Sequence, residues 1–67
     1  MKIVLVNNEQ KYINIGNTEQ GTCIPRVGEH INLGYIPYEE VNDVLYDFNS
    51  STIYVLLDEG IFINEEN

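Results

Sequence analysis

Apolar positions in this chain come in short runs, each broken by Asn, Gly, Pro or acidic residues, and the run lengths suit strands rather than helices. The first run, Ile3-Val4-Leu5-Val6, predicts a strand over Lys2 to Val6. Lys11 to Ile15 is its hairpin partner, with Asn7-Asn8-Glu9-Gln10 supplying the turn. Gly16-Asn17-Thr18-Glu19-Gln20-Gly21-Thr22 reads as a polar loop bracketed by two glycines and is the candidate for a mobile segment. From about Val27 to Leu33, Val27, Glu29, Ile31 and Leu33 fall on one face and Arg26, Gly28, His30 and Asn32 on the other, which predicts a third strand. Gly34-Tyr35-Ile36-Pro37 then turns the chain. Val41 to Phe48 and Thr52 to Leu57 flank a hairpin connection at Asn49-Ser50-Ser51, and a short last strand at Ile61 to Ile63 follows Asp58-Glu59-Gly60.

One segment fits two patterns. Pro37 followed by Glu39 and Glu40, with Val41, Val44, Leu45 and Phe48 at i, i+3, i+4 and i+7, matches an amphipathic helix with proline in its first turn. Strand is favoured because Val41, Val44, Tyr46 and Phe48 are β-formers, and a bulge reconciles the offset of three between Val41 and Val44. Composition points the same way. The chain has no alanine, 15 of its 20 aliphatic Ile, Val and Leu residues are Ile or Val, and five tyrosines join them. Branched and aromatic side chains lose rotamer freedom in a helix but pack well on a pleated surface. The expected class is therefore all-β. The first and the Thr52 to Leu57 strands are apolar on both faces, so either a curled barrel wraps over the second face or another subunit covers it.

Sixty-seven residues make one small domain, 1–67, and exclude a two-domain enzyme. A single cysteine, Cys23, cannot form an intramolecular disulfide, and no Cys/His cluster offers a metal site. A core this small rarely supplies more than about 3–5 kcal/mol, so a homo-oligomer is expected. No apolar run approaches the roughly 20 residues of a membrane helix, and the first run is too short for a signal segment. A soluble, cytoplasmic protein in a reducing compartment is the expectation. The net charge of -8 is unevenly placed: residues 1–28 sum to +1, whereas residues 29–67 hold nine acids and no Lys or Arg. Such a surface repels nucleic acid and anionic membranes and attracts a basic protein partner; it also serves plain solubility.

Little in the sequence supports catalysis. His30 is the sole histidine, and its spacing of seven from Cys23 does not oblige the two to meet; Cys23 reads as a small apolar residue beside Ile24 and Pro25. The acid pairs Glu39/Glu40, Asp43/Asp47 and Asp58/Glu59 read as solvated. Asp43 and Asp47 would share a strand face, but without a calcium-loop pattern around them. Glycines occur singly, so no phosphate loop is present. No catalytic residue, metal site or cofactor is expected. The densest polar constellation is Cys23-Ile24-Pro25-Arg26-Val27-Gly28-Glu29-His30-Ile31. There Arg26 and His30, four apart in an extended segment, form a grip for phosphate or carboxylate, unless Arg26 simply pairs with a neighbouring acid such as Glu29.

The pattern Ile24-Pro25-Arg26-Val27-Gly28-Glu29-His30-Ile31, then Val41-Asn42-Asp43-Val44-Leu45-Tyr46-Asp47-Phe48, then Ile53-Tyr54-Val55-Leu56-Leu57 resembles short proteins encoded by bacteriophages and mobile elements, over roughly residues 24–57. It is also similar to small Src-homology-3-like barrels, in which a Gly-acid-x-aliphatic strand follows a loop and precedes a long hairpin. The resemblance implies a five- to six-stranded barrel or a strongly curled antiparallel sheet. It also implies a counter-defence role through sequestering a nucleotide signal or blocking a host protein. The expected activity is non-enzymatic binding of a small anionic ligand, such as a cyclic nucleotide, in pockets between subunits. Arg26, His30 and Lys11, with Lys2 a further candidate, would hold phosphate, and Tyr35 and Tyr38 would offer ring faces to a base. The alternative is an acidic inhibitor whose carboxylates mask the basic nucleic-acid channel of a host enzyme.

Overall fold

The computed structural model describes residues 1–9, 11–34 and 38–61. Among these described residues it is all-β apart from one turn of 3-10 helix. β1 (Lys2–Val6), β2 (Tyr12–Asn17), β5 (Asp43–Asp47) and β6 (Thr52–Leu56) form one sheet, and β3 (His30–Ile31) and β4 (Glu39–Glu40) form a second, two-stranded one. Among the described residues no helix is long and apolar enough to cross a membrane.

The large sheet has the order β2-β1-β6-β5. Its outer pairings are antiparallel, but β1 and β6 run parallel, with Lys2 opposite Thr52 and Val6 opposite Leu56. The expected barrel or wholly antiparallel sheet is thus replaced by an open, mixed sheet with β2 and β5 at its edges. The cause lies in the two strands that are apolar on both faces. A parallel pair is normally covered on both sides and reads as a continuous apolar run, and β1 and β6 are the two such runs in the chain. They pair with each other in the middle of the sheet. Ile3, Leu5, Ile53, Val55 and Leu57 then lie in one buried cluster with Val41, and Val4, Val6 and Leu56 in another. Both faces of β1 are buried within one chain, so its apolarity is accounted for without a second subunit.

The first cluster is roofed by the segment between β2 and β5. Ile24, Ile31 and Leu33 pack on it, joined by Met1, Ile15 and Val44. The expected strand from Val27 to Leu33 is reduced to His30–Ile31, because Arg26 to Glu29 is a β-turn in which Glu29 N–H donates to the Arg26 carbonyl at 3.0 Å. Gly28 takes the third position of that turn with φ of 91°, a conformation that breaks the alternation and leaves Val27 61% exposed. The turn is stitched to Val41: Gly28 N–H donates to the Val41 carbonyl (2.9 Å) and Val41 N–H to that of Glu29 (2.8 Å).

The ambiguous segment is extended, as β4 and β5. Asn42 N–H reaches the Leu56 carbonyl (2.8 Å) while Asp43 is paired with Leu56, so two residues oppose one. That bulge lets Val41 and Val44, three apart, pack on the same cluster. The β1–β2 turn is organised by Asn7, whose Oδ1 accepts from Glu9 N–H (3.0 Å) and Lys11 N–H (3.2 Å). The loop expected to be mobile is instead built into structure. Gly16 and Asn17 extend β2, and Thr18–Gln20 is the 3-10 turn, capped by Asn17 Oδ1 on Gln20 N–H. The Met1 ammonium donates to Thr18 Oγ1 (2.8 Å) and Glu19 Oε1 (2.9 Å); this ammonium, with a backbone hydrogen bond, holds the Glu19 carboxyl below its usual range.

Between β5 and β6 the connection covers Phe48 to Ser51. Asp47 is buried beneath it and accepts from Asn49 N–H (3.0 Å) and Ser50 Oγ (2.9 Å). Ser51 has φ of 51° and is the non-glycine residue with positive φ among those described. Left-handed backbone costs an L-residue roughly 1–2 kcal/mol, which glycine avoids at some expense in chain entropy. Ser51→Gly is therefore expected to stabilise the protein by about 0.5–1 kcal/mol, and a melting temperature raised by roughly 2–8 °C would register it. The last expected strand, Ile61 to Ile63, and the turn at 34–37 fall largely outside the described residues. Ile61 itself is not in a strand and packs on the Val4, Val6 and Leu56 cluster.

Candidate anion-binding groove

Residues 23–31 form one wall of an open groove of about 940 Å³, lined by Cys23, Ile24, Pro25, Arg26, Glu29, His30, Ile31 and, from β5, Tyr46. Its position follows from the fold. Ile24 and Ile31 anchor the segment to the core, while the turn at Arg26–Glu29 lifts the polar residues between them to the surface. Register does the rest on the opposite wall: Tyr46 is paired with Ile53 and Val44 with Val55, so alternation directs Tyr46 to the face that this segment covers.

The backbone of Arg26 is fixed at both ends. Its N–H donates to Glu29 Oε1 at 2.6 Å and its carbonyl accepts from Glu29 N–H. The expected alternative, a guanidinium pairing with Glu29, does not occur; that carboxylate serves the backbone, and the Arg26 guanidinium forms no ion pair among the described residues. His30 differs. In the β3–β4 register it stands opposite Glu40, and its Nε2 lies 3.7 Å from Glu40 Oε1, with both side chains exposed. Cys23 is an exposed thiol in the same groove, contrary to its expected packing role.

The other expected site residues are elsewhere. Lys11 lines a second groove, of about 640 Å³, with Asn7, Asn8, Glu9, Ile13, Leu33, Glu39 and Asp58, where its Nζ is 3.9 Å from Glu9 Oε1. Arg26 and Lys11 therefore do not share a groove. Tyr38 precedes β4 and is 52% exposed, without lining either groove; Tyr35 lies outside the described residues. The ring in the Arg26 groove is Tyr46, which was not expected there. It is stacked with Phe48, with centroids 6.5 Å apart and planes at 26°, and Phe48 is 79% exposed. A period-two reading of Val44, Tyr46 and Phe48 places all three on one face, which is the signal that points to Tyr46.

The acids are gathered rather than scattered. Glu40, Asp43, Asp58 and Glu59 ring two adjoining shallow depressions around Asn42 at one end of the sheet. Asp43 Oδ1 also accepts from Val44 N–H (2.8 Å) on the edge strand, and Asp58 Oδ2 accepts from Asn8 N–H (2.9 Å). Asp43 and Asp47 are both committed to backbone groups, and no group of three or more His, Cys, Asp or Glu among the described residues is placed to hold a metal ion. No family model, curated protein or solved structure matches the chain.

Proposed function

We propose that this is a non-enzymatic binding protein that captures a small anionic, ring-bearing ligand of the nucleotide class in the groove between residues 23–31 and β5. The observation that carries the reading is the Arg26 guanidinium: it is free of ion pairs among the described residues, held at its backbone, and open to a groove that also offers His30 and Tyr46. A guanidinium fork grips phosphate or carboxylate through two parallel N–H bonds, and the Tyr46 ring offers a base a stacking face. Ile24, Pro25 and Ile31 supply apolar surface beside them.

Because Arg26 is exposed and forms no ion pair among the described residues, Arg26→Ala is expected to leave the melting temperature nearly unchanged. Its affinity for mono- and cyclic nucleotides, read by calorimetry, should fall by roughly 1.5–3 kcal/mol, the range for hydrogen bonds to charged groups. Arg26→Lys should recover only part of this, since a point charge cannot reproduce the fork. Unchanged affinity in a normally folded Arg26→Ala variant would remove the reading.

A second reading is favoured by the gathered acids at the Asn42 end of the sheet, which would let the protein mask a basic nucleic-acid channel on a partner. Its mark would be a partner association that weakens steeply with salt and is lost on neutralising Glu40, Asp43 and Glu59 together while Arg26→Ala is without effect.

A further inference from the structure

We infer that the Arg26 groove selects a ligand carrying a single negative charge, a phosphodiester or a carboxylate, over phosphomonoesters and polyphosphates. The inference rests on that groove being the anion site proposed above, and it follows from the charges that line it. Arg26 is the one permanent cation in the lining. His30 already faces Glu40 across the β3–β4 pair at 3.7 Å, and Glu29 stands in the lining as a carboxylate whose Oε1 is held on Arg26 N–H. Arg26 and Glu29 cancel, and His30 with Glu40 contributes no net positive charge, so the guanidinium fork can grip one anionic group while nothing beside it offsets a second charge. Lys11, which could neutralise a second phosphate, lines a different groove beside Glu9. Beyond the groove, the chain as a whole carries a net charge of -8, which adds a repulsive field for every further negative charge on the ligand.

At separations of about 6–8 Å and effective dielectric constants between those of a protein surface and water, each added charge should weaken binding roughly three- to tenfold. The order expected for one base is thus 3′,5′-cyclic monophosphate above 5′-monophosphate above 5′-triphosphate, opposite to that of a site built from several lysines and arginines.

Titrating the 67-residue chain with cyclic AMP, AMP and ATP at low and at moderate salt tests this. Cyclic AMP should bind tightest at low salt, and the gap to ATP should narrow as salt screens the field. The Glu29→Gln/Glu40→Gln double variant keeps an acceptor oxygen for Arg26 N–H, and it should improve ATP binding at least about tenfold more than cyclic AMP binding. If ATP binds more tightly than cyclic AMP in the wild type and both depend on Arg26, the charge selection is overturned while the anion groove stands. If neither binds more tightly than to Arg26→Ala, the groove and its selectivity fall together.

Discussion

Ile53→Ala is expected to leave this chain mostly unfolded at room temperature. Ile53 lies in β6, one of the two central strands, at 1% exposure, opposite Ile3 on β1 and Tyr46 on β5. Its side chain belongs to the cluster that joins the sheet to Val41 and hence to the covering segment. Truncating a buried isoleucine to alanine costs about 2–5 kcal/mol, the spread depending on how far the surroundings collapse into the space. Here collapse is restricted, because β1 and β5 hold the position from both sides. A domain of this size whose single cysteine allows no internal disulfide holds only about 3–5 kcal/mol in total, so the loss consumes most of it. Far-ultraviolet circular dichroism and urea titration would show a flattened or absent transition, whereas Ile53→Val, costing about 0.5–1.5 kcal/mol, should still fold with a lower midpoint. A cooperative transition in Ile53→Ala with a midpoint close to wild type would contradict the central place given to β6.

Gly16→Ala is the second large effect, and its origin is different. Gly16 sits on β2 just where the β1 register shifts between Ile3 and Val4, with φ of 142°, a region that L side chains rarely adopt. A Cβ there would also run into Thr22 Oγ1, with Thr22 Cβ and Cγ2 both at 3.1 Å. Backbone strain of about 1–3 kcal/mol then adds to an overpacking cost of similar size. Thr22 is held against β2 by its N–H to the Asn17 carbonyl, so rotating its side chain would relieve the Oγ1 contact but leave its Cβ close to the new methyl group. The two contributions separate in a double-mutant cycle. Thr22→Ala removes Oγ1 and Cγ2, and Gly16→Ala/Thr22→Ala should recover roughly half of the loss, leaving the strain of φ. Recovery to wild-type stability would mean that the clash alone was responsible.

Much of this architecture is legible in the residue pattern, and what is not has identifiable causes. The runs at Ile3–Val6 and Ile53–Leu57 announce two buried strands, but a continuous apolar strand is compatible with a barrel, an oligomer or a parallel central pair. Local pattern carries no information on which partner a strand takes fifty residues away. The offset between Val41 and Val44 is readable as a bulge because the two requirements, β-forming residues and one shared face, leave few other solutions. The strand expected over Val27 to Leu33 fails at Gly28, where the backbone departs from the extended region that period-two alternation assumes. At the groove, adjacency in sequence was enough to join Arg26 to His30. Tyr46 reaches them only through the β5–β6 register and the covering segment, which no local reading supplies. Lys11 was grouped with Arg26 by charge alone, and the fold separates them into two grooves.

The parallel pairing of β1 with β6 also sets the order in which the chain can mature. Lys2 meets Thr52 and Val6 meets Leu56, so the central ladder closes a loop of about fifty residues, and non-local pairing of this kind slows folding toward the millisecond-to-second range. While the chain is being synthesised, β1 and β2 can form a hairpin early, but the β1 edge of that hairpin and both apolar faces of β1 stay uncovered until residues 52–56 arrive. For that interval the nascent chain carries a template for wrong strand addition, which chaperone binding or rapid completion must protect.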